Sequence, residues 1–137
     1  MSDDDLNDDV PTPFGELALQ TVAMPADTNA NGDIFGGWLV SQMDIAAAIA
    51  ALKVTRHRVA TVAIDSMSFL TPVHVGAVIS CYTHIVEIGR SSMRINVEVW
   101  INHKTSLEPT KVTEGEFVFV AIDEQGRTQS VSQAKKT

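Results

Sequence analysis

The run of residues 36–52 is apolar on nearly every side of a helix, and Asp44 is its one charged residue. A helix that is hydrophobic all round belongs inside a protein. The Ala, Leu and Met content favours a helix from about residue 37 to about residue 54. A lone carboxylate on such a helix must be hydrogen-bonded, neutralised or used for chemistry. The pattern therefore predicts a central helix and makes Asp44 a candidate functional residue.

Runs rich in β-branched residues, or alternating between apolar and polar residues, predict strands around this helix. The predicted strands cover residues 15–24, 59–70, 77–88, 91–103 and 113–123. Because short turns join the later strands, they form an antiparallel sheet. The predicted fold class is α+β, an antiparallel sheet of five to six strands wrapped around one long central helix. Either the sheet curls around the helix or a second copy of the chain covers it.

Length and composition indicate one folded domain over residues 14–127 of the 137-residue chain. Residues 1–13 read as a disordered acidic leader, and residues 128–137 as a flexible C-terminal tail. The formal net charge of -7 disfavours nucleic-acid binding through a broad basic face. The single cysteine, Cys81, excludes an internal disulfide, fits a reducing compartment and is predicted to be a small core residue.

No signal-peptide pattern opens the chain, and polar residues interrupt its best apolar run, so a cytoplasmic protein without a membrane span is predicted. The four histidines lack the spacing of metal ligands, so no metal is expected. The chain also lacks the Gly-Lys-Ser/Thr of a phosphate-binding loop and the Gly-x-Ser-x-Gly of serine hydrolases. No cofactor is expected.

One segment carries a family resemblance, the pattern N-x-x-G-x-x-F-G-G of residues 29–37 followed by Asp44. With the order of predicted elements, it resembles the hotdog-fold acyl-CoA thioesterases, and in particular the bacterial broad-specificity acyl-CoA hydrolases of the YciA type. The resemblance covers residues 15–127, and the runs GRSS at 89–92 and VEVW at 97–100 add to it. A related branch has His before the double glycine. Phe35 stands there in this chain, so any role of that His does not carry over.

The resemblance implies hydrolysis of acyl-CoA thioesters to free fatty acid and coenzyme A. Asp44 would be the catalytic carboxylate, and the Gly36 backbone N–H would polarise the thioester carbonyl. Asn29 would position substrate or water. The residues implied near the nucleotide end of coenzyme A are Arg90, Ser91 and Ser92.

The residue types fit this chemistry. Backbone N–H groups at a helix start are unpaired within the helix, and glycine lets a carbonyl approach closely, so Gly36 and Gly37 suit an oxyanion site. Asp44 could activate water as a general base or attack directly to form an anhydride, and the sequence leaves both open. Arg58 belongs to a basic cluster and is a candidate ligand for coenzyme A phosphates.

Spacing along the helix predicts a shared site. Gly36 and Asp44 are eight residues apart, which is about 12 Å along the axis. One carbonyl cannot reach both, so Gly36 of one protomer is expected beside Asp44 of its partner across a two-fold axis. An obligate homodimer is therefore predicted, and the resemblance suggests trimers of dimers. A stripe of small residues would let a second helix or an acyl chain pass close by; its members are Gly37, Ser41, Asp44 and Ala48.

Two alternative functions use the same architecture. A hotdog hydratase or dehydratase typically pairs a histidine with a carboxylate, but no histidine precedes His57, so the loop and helix supply none. A non-catalytic acyl-CoA-binding module would keep a pocket without needing Asp44. Asp33 is expected to cap the helix or brace the preceding loop.

Overall fold

The computed structural model describes residues 11–102 and 108–132. One α-helix, α1, runs over Gly36–Val54. The five strands are β1 (Glu16–Val22), β2 (Arg58–Phe69), β3 (Val78–Ile88), β4 (Ser92–Asn102) and β5 (Thr110–Ile122). Each predicted element is present, and β5 begins three residues before the predicted start at 113, at Thr110.

The strands form a single antiparallel sheet in the order β1-β3-β4-β5-β2. Successive residues of a strand point to opposite faces of the sheet. On β4 the inward residues Met93, Ile95, Val97 and Val99 are all fully buried. The alternation predicted for this strand is therefore confirmed, and the core lies between the sheet and one side of α1.

Helix α1 is covered by its own chain on one side only. Its buried residues recur at helical spacing and pack against the sheet; they are Leu39, Met43, Ala46, Ala47, Ala50 and Ala51. Gly37, Ser41, Ile45 and Leu52 on the other side are exposed. By length and composition alone the helix could cross a membrane, a test that core helices of soluble proteins also pass. The sheet thus covers half of a helix that is apolar all round.

Strand β2 is an edge strand beside the uncovered side of α1. Its pairing with β5 shifts register twice, between Thr61 and Ala63 and between Asp65 and Ser68. Val62 and Ile64 on this strand are 56% and 43% exposed. The bare helix face and this edge strand both expose apolar side chains, and the Thr61–Asp44 hydrogen bond joins the two elements, so we refer to them together as the exposed apolar surface of α1 and β2.

The C-terminal segment, residues 127–132, packs on the domain although residues 128–137 read as a flexible tail from sequence. Val131 is 3% exposed, and its N–H donates to the Arg90 carbonyl at 2.8 Å. The sequence prediction missed this packing because Val131 is the one apolar residue in a polar stretch. The remainder of the expected tail, residues 133–137, and most of the expected leader lie outside the described residues.

Candidate functional site

Asp44 lies on the uncovered side of α1, where its side chain is half-buried. The Thr61 hydroxyl on β2 donates to Asp44 Oδ1 at 2.6 Å. Asp44 Oδ2 has no hydrogen-bond partner among the described residues. The hydrogen bond fixes the carboxylate and leaves its second oxygen available to a substrate or water. Sequence reasoning missed Thr61, because a threonine in a strand of Val, Ala and Thr is typical of any strand.

Helix α1 begins at Gly36 without a side-chain cap. Phe35 occupies the N-cap position, and the first turn contains no acidic residue. Within residues 11–102 and 108–132, no acceptor pairs with the N–H groups of Gly36 and Gly37. These donors sit at the positive end of the helix dipole, where they can bind a carbonyl oxygen or an anion.

The sequence leaves two roles open for Asp33, capping the helix or bracing the preceding loop. In the structure it braces the loop and does not cap the helix. Its Oδ1 lies 3.1 Å from His74 Nδ1, and an antiparallel bridge pairs the two residues. The adjoining Ile34 N–H donates to the Val73 carbonyl at 2.8 Å. The loop that leads into α1 is therefore fixed against the β2–β3 connection.

Asn29 organises the same loop. Its Oδ1 accepts hydrogen bonds from the backbone N–H groups of Asn31, at 2.9 Å, and Asp33, at 3.2 Å. This local bonding is typical of asparagine in turns. The Nδ2 donors have no acceptor in the described part of the chain. The side chain thus has a structural role through its oxygen and spare donors through its nitrogen.

An open cleft of about 390 Å³ brings Asn29 and Gly36 together. Most of its remaining wall is apolar and includes Ile34, Leu39, Phe69, Leu70, Pro72 and Val73. The Phe69 ring lies against Gly36, since a Cβ placed on that glycine would be 3.4 Å from the ring. The cleft therefore places the Gly36 end of the helix beside an apolar wall, an arrangement suited to an acyl group whose carbonyl is held at the helix start.

Asp44 does not line this cleft. Eight residues of helix separate it from Gly36, about 12 Å along the axis. One chain therefore brings Asn29 and Gly36 together and leaves Asp44 apart.

The residues expected near coenzyme A phosphates gather at the other end of α1. Arg90 and Ser91 form the tip of the β3–β4 turn, which the Gly89 N–H closes by donating to the Ser92 carbonyl at 2.8 Å. The Ser91 carbonyl accepts from Ala121 N at 2.9 Å. Arg58 starts β2 opposite Ile122, at the same end of the sheet. These residues lie past the end of α1 at Val54. They are therefore about 27 Å from Gly36 of the same chain, measured along the helix axis.

Cys81 is a core residue, as predicted. It is fully buried, and burial raises the pKa of its thiol to about 12. A thiol with so high a pKa is not a nucleophile near neutral pH. No group of three potential metal ligands occurs within the described ranges.

Comparison with known proteins places this geometry in a family. Residues 31–107 match the model of the thioesterase superfamily. Acyl-CoA thioester hydrolase YciA of Salmonella typhimurium is 54% identical over 120 residues, 85% of this chain and 90% of that protein. The Escherichia coli YciA is 51% identical over 123 residues, 87% and 92% of the two chains.

Solved structures agree with the sequence relatives. A hexameric thioesterase from Yersinia pestis superposes with a TM-score of 0.83 at 50% identity, covering 88% of this chain and 98% of that one. A Campylobacter jejuni structure described as a hexameric hotdog-fold thioesterase gives 0.81 at 39% identity, covering 87% and 92%. The predicted fold class is thereby confirmed. The chain belongs to the thioesterase superfamily and has the hotdog fold.

Proposed function

We propose that this protein hydrolyses acyl-CoA thioesters to a free carboxylic acid and coenzyme A, the activity named for its relatives. The observation that carries the proposal is the start of α1. Two glycine N–H groups are unpaired there, and Gly36 lines the apolar cleft, on a helix that also carries Asp44. Such preorganised donors stabilise the oxyanion that develops when a thioester is attacked.

The mechanism we propose uses residues of two protomers. The Gly36 N–H of one protomer binds the thioester carbonyl oxygen. Asp44 of its partner either removes a proton from an attacking water or attacks the carbonyl carbon itself, forming an anhydride that water then hydrolyses. The sulfur of coenzyme A leaves in both routes and takes up a proton. Thr61 holds the carboxylate through Oδ1, so Oδ2 is the oxygen left to react.

The exposed apolar surface of α1 and β2 supports this shared site. Asp44 lies within that surface, between the small residues Ser41 and Ala48. Burying Ile45, Val62 and Ile64 against a second copy would supply the hydrophobic driving force that the single chain lacks. We propose an obligate homodimer. Because the Yersinia and Campylobacter relatives are hexameric, we also propose trimers of such dimers.

The reaction needs a carboxylate, backbone donors and water, so we expect it to proceed without a metal or cofactor. The cytoplasmic location stays a prediction. Of the alternatives, hydration or dehydration would require a histidine at the thioester. None of the histidines in the described ranges lines the cleft at Gly36.

The first test is thiol release from acetyl-, butyryl- and longer acyl-CoA by the wild type and Asp44→Asn. We expect Asp44→Asn to lower kcat by about 10²- to 10⁴-fold, with coenzyme A binding by calorimetry retained. Buried Cys81 should add little background to a thiol reagent. Unchanged turnover in Asp44→Asn would refute its role. Binding without hydrolysis by the wild type would instead favour an acyl-CoA-binding module.

A second experiment tests the shared site. Asp44→Asn lacks the carboxylate, and Gly36→Val blocks the donor by driving a side chain into Phe69. Each homodimer should be inactive, whereas a mixed dimer keeps one intact pair. Subunits mixed in equal amounts by denaturation and refolding should regain about a quarter of wild-type activity, from one working site in half of the dimers. If both parents refold and the mixture stays inactive, the site does not combine two protomers.

A further inference from the structure

We propose that the C-terminal segment, residues 127–132, completes a pocket for the phosphate-bearing end of coenzyme A, with the hydroxyls of Ser130 and Ser132 acting beside Arg90. The inference rests on the proposed acyl-CoA thioesterase function and adds two binding residues to it. It concerns a cavity at the C-terminal end of α1, separate from the cleft at Gly36.

The cavity has a volume of about 250 Å³ and a chemically divided wall. Arg90, Ser130 and Ser132 supply its polar side chains, while Val54, Ile88 and Val131 supply its apolar surface. Ser130 Oγ and Ser132 Oγ are 2.9 Å apart. Because one hydrogen bond between two hydroxyls uses only one O–H, the other remains free to donate to an anion.

The segment is held firmly at this place. Val131 is buried, and its N–H donates to the Arg90 carbonyl at 2.8 Å. The Gln129 N–H donates to the Ala121 carbonyl at 2.9 Å, and Gln129 Nε2 donates to the Ile122 carbonyl at 2.7 Å. Two serines that flank an anchored valine are therefore fixed relative to the arginine, so less entropy is lost on binding.

The charges at the cavity favour an anion. Arg90 forms no ion pair with a carboxylate in residues 11–102 or 108–132, although the chain carries a net charge of -7. No carboxylate lines the cavity. The carbonyl end of α1 near Val54 disfavours an anion, so binding depends on the guanidinium and the hydroxyls. An arginine with hydroxyl donors is the chemistry that recognises phosphate.

The distance between Asp44 and this cavity suits one extended coenzyme A molecule. Val54 lies ten residues after Asp44 on the same helix, about 15 Å along the axis. The pantetheine arm separates the thioester sulfur from the phosphates by a chain of comparable reach. A thioester at Asp44 whose pantetheine arm runs toward the C-terminal end of α1 would therefore place its phosphates at the cavity of the same protomer.

The test compares butyryl-CoA with butyryl-pantetheine, a thioester that has the same reacting group but lacks the nucleotide. We expect the double variant Ser130→Ala/Ser132→Ala to lower kcat/KM for butyryl-CoA by roughly 10-fold, with kcat/KM for butyryl-pantetheine unchanged. Arg90→Gln should show the same selectivity. Thr128→Ala removes an exposed hydroxyl from the same segment outside the cavity and should leave both substrates unaffected.

Calorimetric titration of coenzyme A into each variant gives a readout that does not depend on turnover. We expect weaker binding in the serine double variant and in Arg90→Gln, and wild-type binding in Thr128→Ala. Wild-type kcat/KM for butyryl-CoA in the double variant, or an equal loss with both thioesters, would overturn the proposal. Failure of the wild type to hydrolyse either thioester would instead count against the proposed function itself.

Discussion

Thr61 on edge strand β2 donates a hydrogen bond to Asp44 on helix α1, with 2.6 Å between Thr61 Oγ1 and Asp44 Oδ1. The bond crosses from strand to helix within the surface that the chain leaves uncovered. A carboxylate held by one oxygen loses rotational freedom and presents the other in a fixed direction. Thr61 is thus a positioning residue for the group to which we assign the chemistry.

Thr61→Val should separate this positioning role from packing. Valine keeps the shape and the strand preference of threonine but cannot donate. We expect kcat to fall by roughly 10-fold or more, since hydrogen bonds to charged groups contribute about 1.5–3 kcal/mol, while KM changes little. Thr61→Ser keeps the hydroxyl and should retain most of the activity. Full activity in Thr61→Val together with a loss in Thr61→Ser would show that shape, and not the hydrogen bond, matters here.

Substitution can separate the two roles of Asn29, the acceptor role of Oδ1 and the donor role of Nδ2. Asn29→Asp keeps the oxygen that accepts from Asn31 and Asp33 but loses the Nδ2 donors. We expect its melting temperature to stay close to that of the wild type while its kcat/KM falls by at least about 10-fold. Asn29→Ala should lose activity and also about 1–2 kcal/mol of stability, because two backbone N–H groups lose their acceptor. An active Asn29→Asp would limit Asn29 to shaping the loop.

Phe69 should restrict which acyl groups fit beside Gly36. Its ring lies against that glycine and lines the cleft. Phe69→Ala should therefore raise the ratio of kcat/KM for branched or aromatic thioesters to that for acetyl-CoA by about 10-fold. Val86→Ala is the matched control, since Val86 is 50% exposed and lies outside the cleft. A uniform change across all acyl groups would exclude Phe69 as a determinant of selectivity.

Most of the fold could be predicted from sequence, because its signals are local. Alternation on β4 and the apolar run of α1 each identify an element and its buried face. The alternating pattern predicts a start of β5 at 113, since Thr110 and Lys111 carry no apolar signal, yet Lys111 pairs with Trp100 on β4. Pairing with a neighbour extended the strand beyond its own pattern.

The site was harder to predict, because its residues are brought together by the pairing register of the strands, which the sequence pattern does not specify. The shift between Thr61 and Ala63 is a backbone irregularity that composition does not reveal, and Thr61 contacts Asp44 beside it. Likewise Val131 is one apolar residue in a polar stretch, and only the assembled sheet shows that it packs beside Arg90. By contrast, the spacing from Gly36 to Asp44 is fixed by helix geometry alone.

Glu114 should give the protein an acid-sensitive component of stability. An ion-paired hydrogen bond with Lys111 lowers the pKa of its carboxyl below the ordinary 4.5, and a hydrogen bond from Asn96 adds to this. Since the pKa is lower in the folded state, the stabilisation is present above the unfolded pKa and is lost as pH falls through the folded one. Glu114→Gln should flatten the pH dependence of the free energy of unfolding below about pH 4.5.

The measurement is urea unfolding at several pH values from neutral to acid, at constant protein concentration. Glu124→Gln, in the exposed turn after β5, is a suitable control and should follow the wild-type curve. A Glu114→Gln curve parallel to the wild type through the acid range would contradict the expected linkage.

Gly15, just before β1, should tolerate substitution far less well than Gly126. Gly15 has φ +110°, and a Cβ there would lie 2.3 Å from the Thr83 carbonyl oxygen on the paired strand β3. Gly126 has φ +83°, but no atom lies within 4 Å of its Cβ position. Gly126→Ala should therefore cost only the left-handed strain, about 1–2 kcal/mol. Gly15→Ala adds a clash with backbone that only a shift of β1 relieves, and should cost about 2–5 kcal/mol.

Urea unfolding of both variants at one fixed protein concentration measures this difference directly, since oligomer stability depends on concentration. Hydrogen exchange should locate the damage, with amides of β1 and its partner β3 exchanging faster in Gly15→Ala and those of β5 unchanged. The expected order follows from what surrounds each glycine, because both have positive φ and differ chiefly in the backbone that faces them. Equal losses of stability would mean that β1 shifts freely to admit a side chain, so that its pairing with β3 contributes little to holding the sheet edge.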